Sequence, residues 1–394
     1  MRSKTTLLRL SIGATAVVVA CAAAAGLLAA AHAPAAANAL SLAEGPGGCG
    51  APPAALAAGP VSFQVTDDSR DFVNVYVVAD GGDEVYAEIQ DLPPHATLPL
   101  STDLGAGDYA VRCVFSDGLT GTSDPIRITG STADAVPGYP PLPDLDLQTP
   151  VHVYSAWVQG QLPGLLAACQ SIEDALARND LPAAKQAWLA AHLDYERLGA
   201  AYNAFGDFDD EIDGMANGLP GGVADPSWSG FFALEYALWH GAPAARLDAL
   251  GRQLAGYVSG LIQDFPSEEV DPGDLALRSH EILENALQFQ ATGIADYGSG
   301  TTLATIYANT QGTRELLDVL NPLIETRDPA LLSAAESGIG ALQQDLDTLH
   351  SAGGGWIPVD GLSSGQRQQL DAKLGSLLET LSYLPNLLYP RTDA

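Results

Sequence analysis

Residues 192–241 read HLDYERLGAAYNAFGDFDDEIDGMANGLPGGVADPSWSGFFALEYALWHG, and this stretch decides the fold of the second half of the chain. Two helix-like segments flank an acidic, glycine-rich loop. His192 and Glu196 lie one helical turn apart on the first segment, and Glu235 lies on the second. His280 and Glu284 repeat the spacing downstream. Imidazoles and carboxylates on rigid helices predict a metal site in a helical bundle.

Helical periodicity extends outward from this stretch. From Val151 onward, apolar residues recur at three- and four-residue spacing, which predicts about eight helices. That number is enough for two packed four-helix units. Helix limits are marked as well, for example by Asp271-Pro272 before one helix and by Gly293 after it. We therefore predict an all-helical domain over residues 151–390.

The region before the helices has a different periodicity. Over residues 59–130, short runs with two-residue alternation and β-branched or aromatic residues are separated by Gly, Asp and Pro. This pattern predicts a small antiparallel β-sandwich. Residues 32–58, rich in Ala, Gly and Pro, and residues 131–150, rich in Pro, are interpreted as linkers.

The N-terminal segment, residues 1–31, is a targeting or anchoring sequence. A basic start precedes an apolar run from Leu10 to about Ala31. Three interpretations are open: a lipobox with Cys21 as the lipidated residue, an uncleaved membrane anchor, or a signal peptide cleaved after Ala33 or Ala39. The run stays apolar beyond Cys21, which favours the anchor. All three place the remaining chain outside the cytoplasm, at the cell surface or in the periplasm.

Charge limits the partners. The chain carries 17 Lys+Arg against 48 Asp+Glu, a formal net charge of −31. This acidity argues against nucleic acid and anionic lipid as partners, because phosphates would be repelled. It is compatible with a cationic ligand.

The cysteine, histidine and methionine positions bear on disulfide formation and on copper binding. Cys49 and Cys113 bracket the β-rich segment and are the natural disulfide pair outside the cell. Cys169 lies on a helical apolar face and is expected to be a buried thiol. Residues 59–130 contain a single histidine, His95, and no methionine. A blue-copper site is therefore not expected.

The acidic segment FGDFDDEIDG, residues 205–214, has two interpretations. It is either a solvated turn with helix-capping aspartates or a set of hard oxygen ligands for a cation. Its spacing does not match an EF-hand. Glu235 lies in an apolar helix, where an unpaired carboxylate is costly to bury, so it should face water or have a cationic partner.

Three long motifs make residues 150–390 resemble the imelysin-like domain of EfeO-type iron uptake proteins. They are AHLDYERLGAAYNAFGDFDDEIDG (191–214), the segment from GLPGGV to ALWHG (218–241), and LRSHEILENALQFQATG with the following DYGSGT (277–301). Residues 59–130 are similar to the cupredoxin-like sandwich that often precedes this domain, with GDYAVRCVFSDG as its closing strand.

The resemblance implies a fold, a ligand and partners. The fold is a cupredoxin-like sandwich followed by an imelysin-like double four-helix bundle. The ligand is iron or another divalent metal such as zinc, bound without peptide hydrolysis. The partners are a membrane iron permease and a haem-containing peroxidase. By position, the implied metal residues are His192, Glu196, Glu235, His280 and Glu284, with Asp207 and Asp225 as supporting candidates.

One position departs from the family's G-x-H-x-x-E signature: Gly230 and Glu235 are kept, but Phe232 replaces the histidine. Two functions therefore compete. The first is an extracytoplasmic component that captures iron through His and carboxylate ligands and passes it to a permease. The second is a structural or interaction module with a degenerate metal site. A metallopeptidase is disfavoured, because His280-Glu281 begins an HExxH motif whose last position is Glu284.

Overall fold

The computed structural model describes residues 38–43, 48–140, 142–268, 270–350 and 355–389. The chain divides into two compact units after Pro140. The first is built of β-strands and the second of helices, so the order predicted from the sequence is confirmed. The predicted targeting or anchoring segment, residues 1–31, lies outside the described residues. Within the described ranges, none of the helices combines the length and the apolar character needed to cross a bilayer.

The first unit contains two sheets, one with strand order β1-β3-β6 and one with order β2-β9-β7-β4-β5, in which β8 also pairs with β7. The strands are β1 (Asn38–Leu42), β2 (Ala55–Ala57), β3 (Gly59–Asp67), β4 (Val73–Ala79), β5 (Val85–Leu92), β6 (Thr97–Leu104), β7 (Gly107–Phe115), β8 (Thr120–Thr122) and β9 (Ile126–Thr129).

The two sheets share one apolar core, which makes the unit a sandwich. Phe63 of β3 is buried in the same cluster as Val75 of β4 and Val111 of β7. Alternate residues of β3 are buried, as the two-residue period requires. Within residues 59–130 the strand pairs are antiparallel, as predicted. Strands β1 and β2, which come before this segment, add parallel pairs with β3 and β9.

The linker assignment for residues 32–58 is wrong where β1 and β2 form. Leu40 and Leu42 are buried in the sandwich core, and the residues beside them in β1 are exposed. The alternation covers only five residues inside a segment rich in Ala, Gly and Pro. Such a short run gives little signal, so the strand becomes visible only through its partner β3.

The cysteines behave as expected. Cys49 and Cys113 form a disulfide with their Cα atoms 5.6 Å apart, and Cys169 is a buried free thiol. Because the Cys113 sulfur is in the disulfide, it does not offer a thiolate to copper. His95 is exposed in the loop between β5 and β6.

The second unit contains long helices joined by short ones. The helices are α1 (Asp144–Ala177), α2 (Leu181–Glu196), α3 (Tyr202–Phe205), α4 (Asp207–Asp213), α5 (Gly230–Trp239), α6 (Ala244–Asp264), α7 (Pro272–Asn285), α8 (Thr302–Arg327), α9 (Pro329–Asp347), α10 (Ser364–Leu381) and α11 (Tyr383–Leu387). Helix α1 starts inside the predicted linker 131–150. The helix continues through Pro150 and Pro163, although proline usually interrupts a helix interior.

The long helices pack as two four-helix groups, as predicted. Helices α1, α2, α5 and α6 form the first group, and α7, α8, α9 and α10 form the second. The start of α7 is where the sequence placed it, with the Asp271 side chain accepting a hydrogen bond from Gly273 N. The short helices α3 and α4 follow α2 and carry the acidic segment. This arrangement places the acidic residues beside the end of α2.

Candidate metal centre

Three side chains from α2 and α4 converge on one point. His192 Nε2 lies 3.0 Å from Glu196 Oε1 and 3.4 Å from Asp213 Oδ1. Among the described residues, these are the only His, Cys, Asp or Glu side chains of which three bring ligand atoms within 4.8 Å of one another. Two carboxylates and one imidazole form a donor set that suits iron, zinc or manganese.

Local structure explains how the three donors meet. His192 and Glu196 are four residues apart on α2, so both project from one face of the helix. Asp213 is the last residue of α4. The backbone beside it is crossed by Gly230, where an added Cβ would lie 2.2 Å from Ile212 O. Ser229 Oγ also donates to Glu211 O at 3.0 Å. The close crossing of α4 by the start of α5 thus fixes where α4 ends.

The donor set is enclosed by aromatic rings. His192 is 2% exposed and Glu196 is 4% exposed. The imidazole stacks on Trp188 at a centroid distance of 5.0 Å and contacts Phe231 at 5.2 Å and Phe232 at 5.3 Å. In such a site water screens charges weakly, so interactions with a cation are strong.

Several ligand atoms lack hydrogen-bond partners. Nε2 of His192, Oε1 of Glu196 and Oδ1 of Asp213 are buried, and none has a partner of good geometry among the described residues. The atoms are close enough for ion pairing, but the contacts miss hydrogen-bond alignment. Buried polar atoms are normally paired, and a cation between them would satisfy all three. The residues present therefore fit a bound metal ion.

The charged groups of the cluster affect one another's pKa values. Burial lowers the pKa of the His192 imidazole, but the facing Asp213 and Glu196 carboxylates outweigh it and raise this pKa above its usual value. Burial raises the pKa of Asp213, an effect that the neighbouring imidazole partly offsets. The facing carboxylates thus favour the protonated form of the imidazole when no metal is bound. A metal ion must displace this proton before it can bind to Nε2.

A cavity of about 210 Å³ opens beside the cluster. Glu196, Asp213 and Phe232 line it, together with Asp209, Asp210, Arg278, Gln290 and Asn309. Tyr195 Oη donates to Asp209 Oδ1 at 2.8 Å. Burial raises the pKa of Asp209 to about 6 despite this hydrogen bond. The cavity gives an ion access to the donor set and leaves room for metal-bound water.

The amides around the cavity complete its polar wall. When the nitrogen of the Asn309 amide faces Glu196, it donates to Glu196 O at 3.0 Å and to Glu196 Oε2 at 2.9 Å. Gln290 belongs to a π-helical turn, Ala286–Gln290, that follows α7. Its Oε1 is buried and has no hydrogen-bond partner in the described parts of the chain. π-helical turns often occur at functional sites, because they rotate side chains out of the regular helical register.

Glu235 is placed outside the donor set. It is 1% exposed, and its Oε1 accepts hydrogen bonds from the backbone N–H groups of Tyr297, at 3.1 Å, and Ser299, at 2.9 Å. The expected cationic partner is thus replaced by two backbone donors of a loop. Burial raises the pKa of Glu235 to about 7, although the Ser299 hydrogen bonds act in the opposite direction.

The second pair, His280 and Glu284, is also separate. His280 Nδ1 lies 3.6 Å from Glu284 Oε2, and both side chains are partly exposed. The residues of α7 that line the cavity are Arg278, Ile282 and Asn285. Residues two positions away from these lie on a different face of the helix, so His280 and Glu284 are directed away from the cavity.

The two supporting candidates lie at the surface. Asp207 is exposed in the first turn of α4. Asp225 accepts hydrogen bonds from Ser227 and from Gly221 N, and these bonds lower its pKa. Each aspartate therefore has a local structural role, at a helix start and in a turn. Neither joins the group of ligand atoms around His192 among the described residues.

The sequence indicated two of the three side chains that lie close together here. His192 and Glu196 were indicated by their spacing. Asp213 was one of several acidic residues in the segment 205–214, and nothing in the sequence separates it from the others. No sequence pattern indicated Asn309 or Gln290, because their places in the cavity wall depend on packing between helices far apart in the chain.

Glu235 gives a prediction about stability. In the folded protein its pKa of about 7 exceeds the ordinary value of 4.5. Its stabilising contribution is therefore complete below about pH 4.5 and is lost as the pH rises to about 7. Glu235→Gln keeps an oxygen acceptor but cannot ionise. Relative to wild type, the metal-free variant should gain on the order of 3 kcal/mol in unfolding free energy between pH 4.5 and pH 8.

Urea denaturation of both proteins across this pH range measures the difference. Asp225→Asn is the control, because Asp225 is exposed and its pKa is lowered. Its difference from wild type should be flat between pH 5 and pH 8. A flat difference for Glu235→Gln would show that Glu235 is already ionised in the folded protein at low pH.

Comparison with known proteins agrees with the resemblance found in the sequence. A sequence model of the imelysin family, which also carries the designation Peptidase M75, matches residues 151–383. The iron uptake system component EfeO of Escherichia coli K12 is 24% identical over 335 residues, which cover 84% of this chain and 86% of EfeO. EfeO of Shigella flexneri matches to the same extent. These relatives are named for iron uptake and not for proteolysis.

Proposed function

The chain belongs to the imelysin family, and we propose that it is the extracytoplasmic, iron-binding component of an EfeO-type uptake system. In this role it captures iron at His192, Glu196 and Asp213 and passes the ion to a membrane permease. A haem-containing peroxidase is the proposed third member. The protein itself is proposed to be a binding protein without peptidase activity. The match to EfeO proteins over most of both chains supports the assignment to iron uptake.

The single observation that carries metal capture is the cluster of unpaired ligand atoms. Three buried donors point at one another without hydrogen bonds of good geometry. An arrangement of this kind is costly unless a cation or a proton sits between the donors. His192 takes the proton in the metal-free state, and the metal takes its place on loading. Three protein donors leave other coordination positions open towards the cavity, where water or a receiving ligand can bind.

Open positions suit a protein that must also release its cargo. A site closed by protein ligands on all sides holds a metal permanently, whereas an accessible position allows exchange. Protonation of His192 offers a second route to release, because the proton and the metal compete for Nε2. The net charge of −31 raises the local concentration of cations around the protein.

Isothermal titration of the purified soluble part, residues 39–394, with Fe²⁺, Fe³⁺ and Zn²⁺ tests the proposal. We expect binding in the micromolar range or tighter for iron, with one ion per chain and release of protons. If none of the ions binds more tightly than millimolar, metal capture is excluded. The remaining interpretation would then be a structural or interaction module, which the replacement of the motif histidine by Phe232 already favours.

Phe232 allows a test by gain of function. Its ring contacts His192 and lines the cavity next to Glu196 and Asp213. Phe232→His should bring a second imidazole to the donor set and tighten Zn²⁺ binding by about 10-fold or more. The matched control is Phe231→His. Phe231 also contacts His192, but it is buried and does not line the cavity.

For Phe231→His we expect a lower melting temperature and no gain in Zn²⁺ affinity, because the new imidazole is buried away from the ion. Titration calorimetry and thermal unfolding of both variants measure the two effects. Equal affinities for wild type and Phe232→His would place the metal elsewhere.

A further inference from the structure

Asp213 is held by the segment that follows it. As the last residue of α4, it precedes Gly214–Ala216, which belong to no helix. Two side-chain contacts fix this segment. Trp228 Nε1 donates to Gly214 O at 2.8 Å, and Ala216 N donates to Tyr297 Oη at 3.1 Å. The direction of the Asp213 carboxylate therefore depends on a tyrosine that is 84 residues away in the sequence.

Tyr297 itself lies in a loop that needs an external support. Gly298 has φ 130° and Gly300 has φ 69°, so the chain here follows no regular helix or strand. Glu235 provides the support from α5, since its Oε1 accepts the N–H groups of both Tyr297 and Ser299. The hydrogen bond from Tyr297 N is buried, where leaving an N–H group unpaired is unfavourable.

The packing of aromatic rings also links Tyr297 to the metal site. The Tyr297 ring lies 5.0 Å from the Trp228 ring and 5.3 Å from the Phe232 ring. Trp228 holds Gly214, and Phe232 contacts His192. Tyr297 thus contacts Phe232, which packs against His192, and Trp228, which is hydrogen-bonded to the segment after Asp213.

We propose that Glu235 is a positioning residue for the metal site and not a metal ligand. It fixes the Tyr297 loop, the Tyr297 hydroxyl fixes Ala216, and Ala216 fixes the end of α4 that carries Asp213. The inference rests on the proposed function, because it assigns a role in metal binding. It also predicts that a change at Glu235 alters the hydrogen bond of the Ala216 amide even in the metal-free protein.

The two roles of Glu235 demand different chemistry. A positioning role needs only an oxygen acceptor for two N–H groups, which a glutamine amide also provides. A ligand role needs the negative carboxylate, because an amide oxygen is a much weaker donor to iron or zinc. Glu235→Gln should therefore preserve the site, whereas Glu235→Ala should damage it. Tyr297→Phe removes only the hydroxyl and should act like Glu235→Ala.

The experiment uses four variants of the protein comprising residues 39–394. They are Glu235→Gln, Glu235→Ala, Tyr297→Phe and the control Tyr236→Phe. Tyr236 also contacts the Trp228 ring, but no hydrogen bond joins its hydroxyl to Gly214–Ala216. The first readout is the hydrogen exchange rate of the Ala216 amide in the metal-free protein, measured by NMR. The second is Zn²⁺ affinity, measured by calorimetry.

We expect Glu235→Ala and Tyr297→Phe to speed exchange at Ala216 and to weaken Zn²⁺ binding by roughly 10- to 100-fold, the usual effect of losing an outer contact. Glu235→Gln and Tyr236→Phe should neither speed exchange at Ala216 nor weaken Zn²⁺ binding. Thermal unfolding identifies any variant that fails to fold, and Tyr297→Phe keeps the test valid if Glu235→Ala does fail.

Two results would overturn the inference. One is unchanged exchange at Ala216 in both Glu235→Ala and Tyr297→Phe. The other is an affinity loss in Glu235→Gln as large as in Glu235→Ala, which would make Glu235 a ligand. If wild type binds no metal while the exchange rates change as expected, the proposed function fails, the structural connection stands and its role in metal binding is refuted.

Discussion

Replacing His192 with alanine is expected to reduce the affinity for Fe²⁺ and Zn²⁺ by more than about 100-fold, since losing even an outer contact of a metal site costs 10- to 100-fold. His192 supplies the single nitrogen of the donor set. Glu196 and Asp213 would face each other without the imidazole. Only two carboxylate donors would then remain, and a site with fewer protein ligands binds its ion more weakly.

The matched control is His280→Ala. His280 also forms an i,i+4 pair with a glutamate, but its side chain is partly exposed and lies outside the cluster. We expect its metal affinity to equal that of wild type. Calorimetry gives the affinities, and circular dichroism checks that both variants are folded. If His280→Ala lost affinity and His192→Ala did not, the metal site would have to be reassigned to α7.

The second large effect is expected from Gly230→Ala. Gly230 has φ 78°, and an added Cβ would lie 2.2 Å from Ile212 O and 2.7 Å from Glu211 O. Both neighbours are backbone atoms of α4, which cannot rotate away as a side chain would. We expect a loss of about 3 kcal/mol or more in unfolding free energy. This corresponds to a melting temperature lower by about 10 °C.

Gly256→Ala provides the comparison. Gly256 lies inside α6, and nothing lies within 4 Å of the added Cβ. Alanine is the better helix former, so this variant should be more stable than wild type by up to about 1 kcal/mol. Thermal unfolding of both variants measures these changes in stability. If Gly230→Ala unfolded at the wild-type temperature, the close crossing of α4 and α5 would not exist in solution.

The sequence alone predicts part of the site that these two experiments test. The pair His192 and Glu196 follows from helical spacing, which is a local property and can be read without a structure. The family signature also marks Gly230 and Glu235. However, the signature does not say what either residue contacts. Gly230 is required by the backbone of α4, and Glu235 is engaged by a loop 62 residues away.

The same limit applies to the fold. Helices with long apolar periods and clear start signals, such as α7 after Asp271, were predicted correctly. Strand β1 was missed because five residues carry little periodicity, and its parallel partner β3 is distant in the sequence. The π-helical turn at Ala286–Gln290 was also missed, since no residue type specifically favours that geometry. Asp213 was recognised only as one acidic residue among several, because convergence on His192 is a property of packing.

The disulfide between Cys49 and Cys113 has a mechanical consequence. A force applied at the N-terminal end of the chain can peel β1 from β3, but unravelling must stop at Cys49. From there the load passes through the disulfide into β7, which is paired on both sides by β4 and β9. Strand β2 and every strand up to β7 lie within the closed covalent loop. The sandwich therefore withstands tension at the N-terminal end through its central strand and not through its edge.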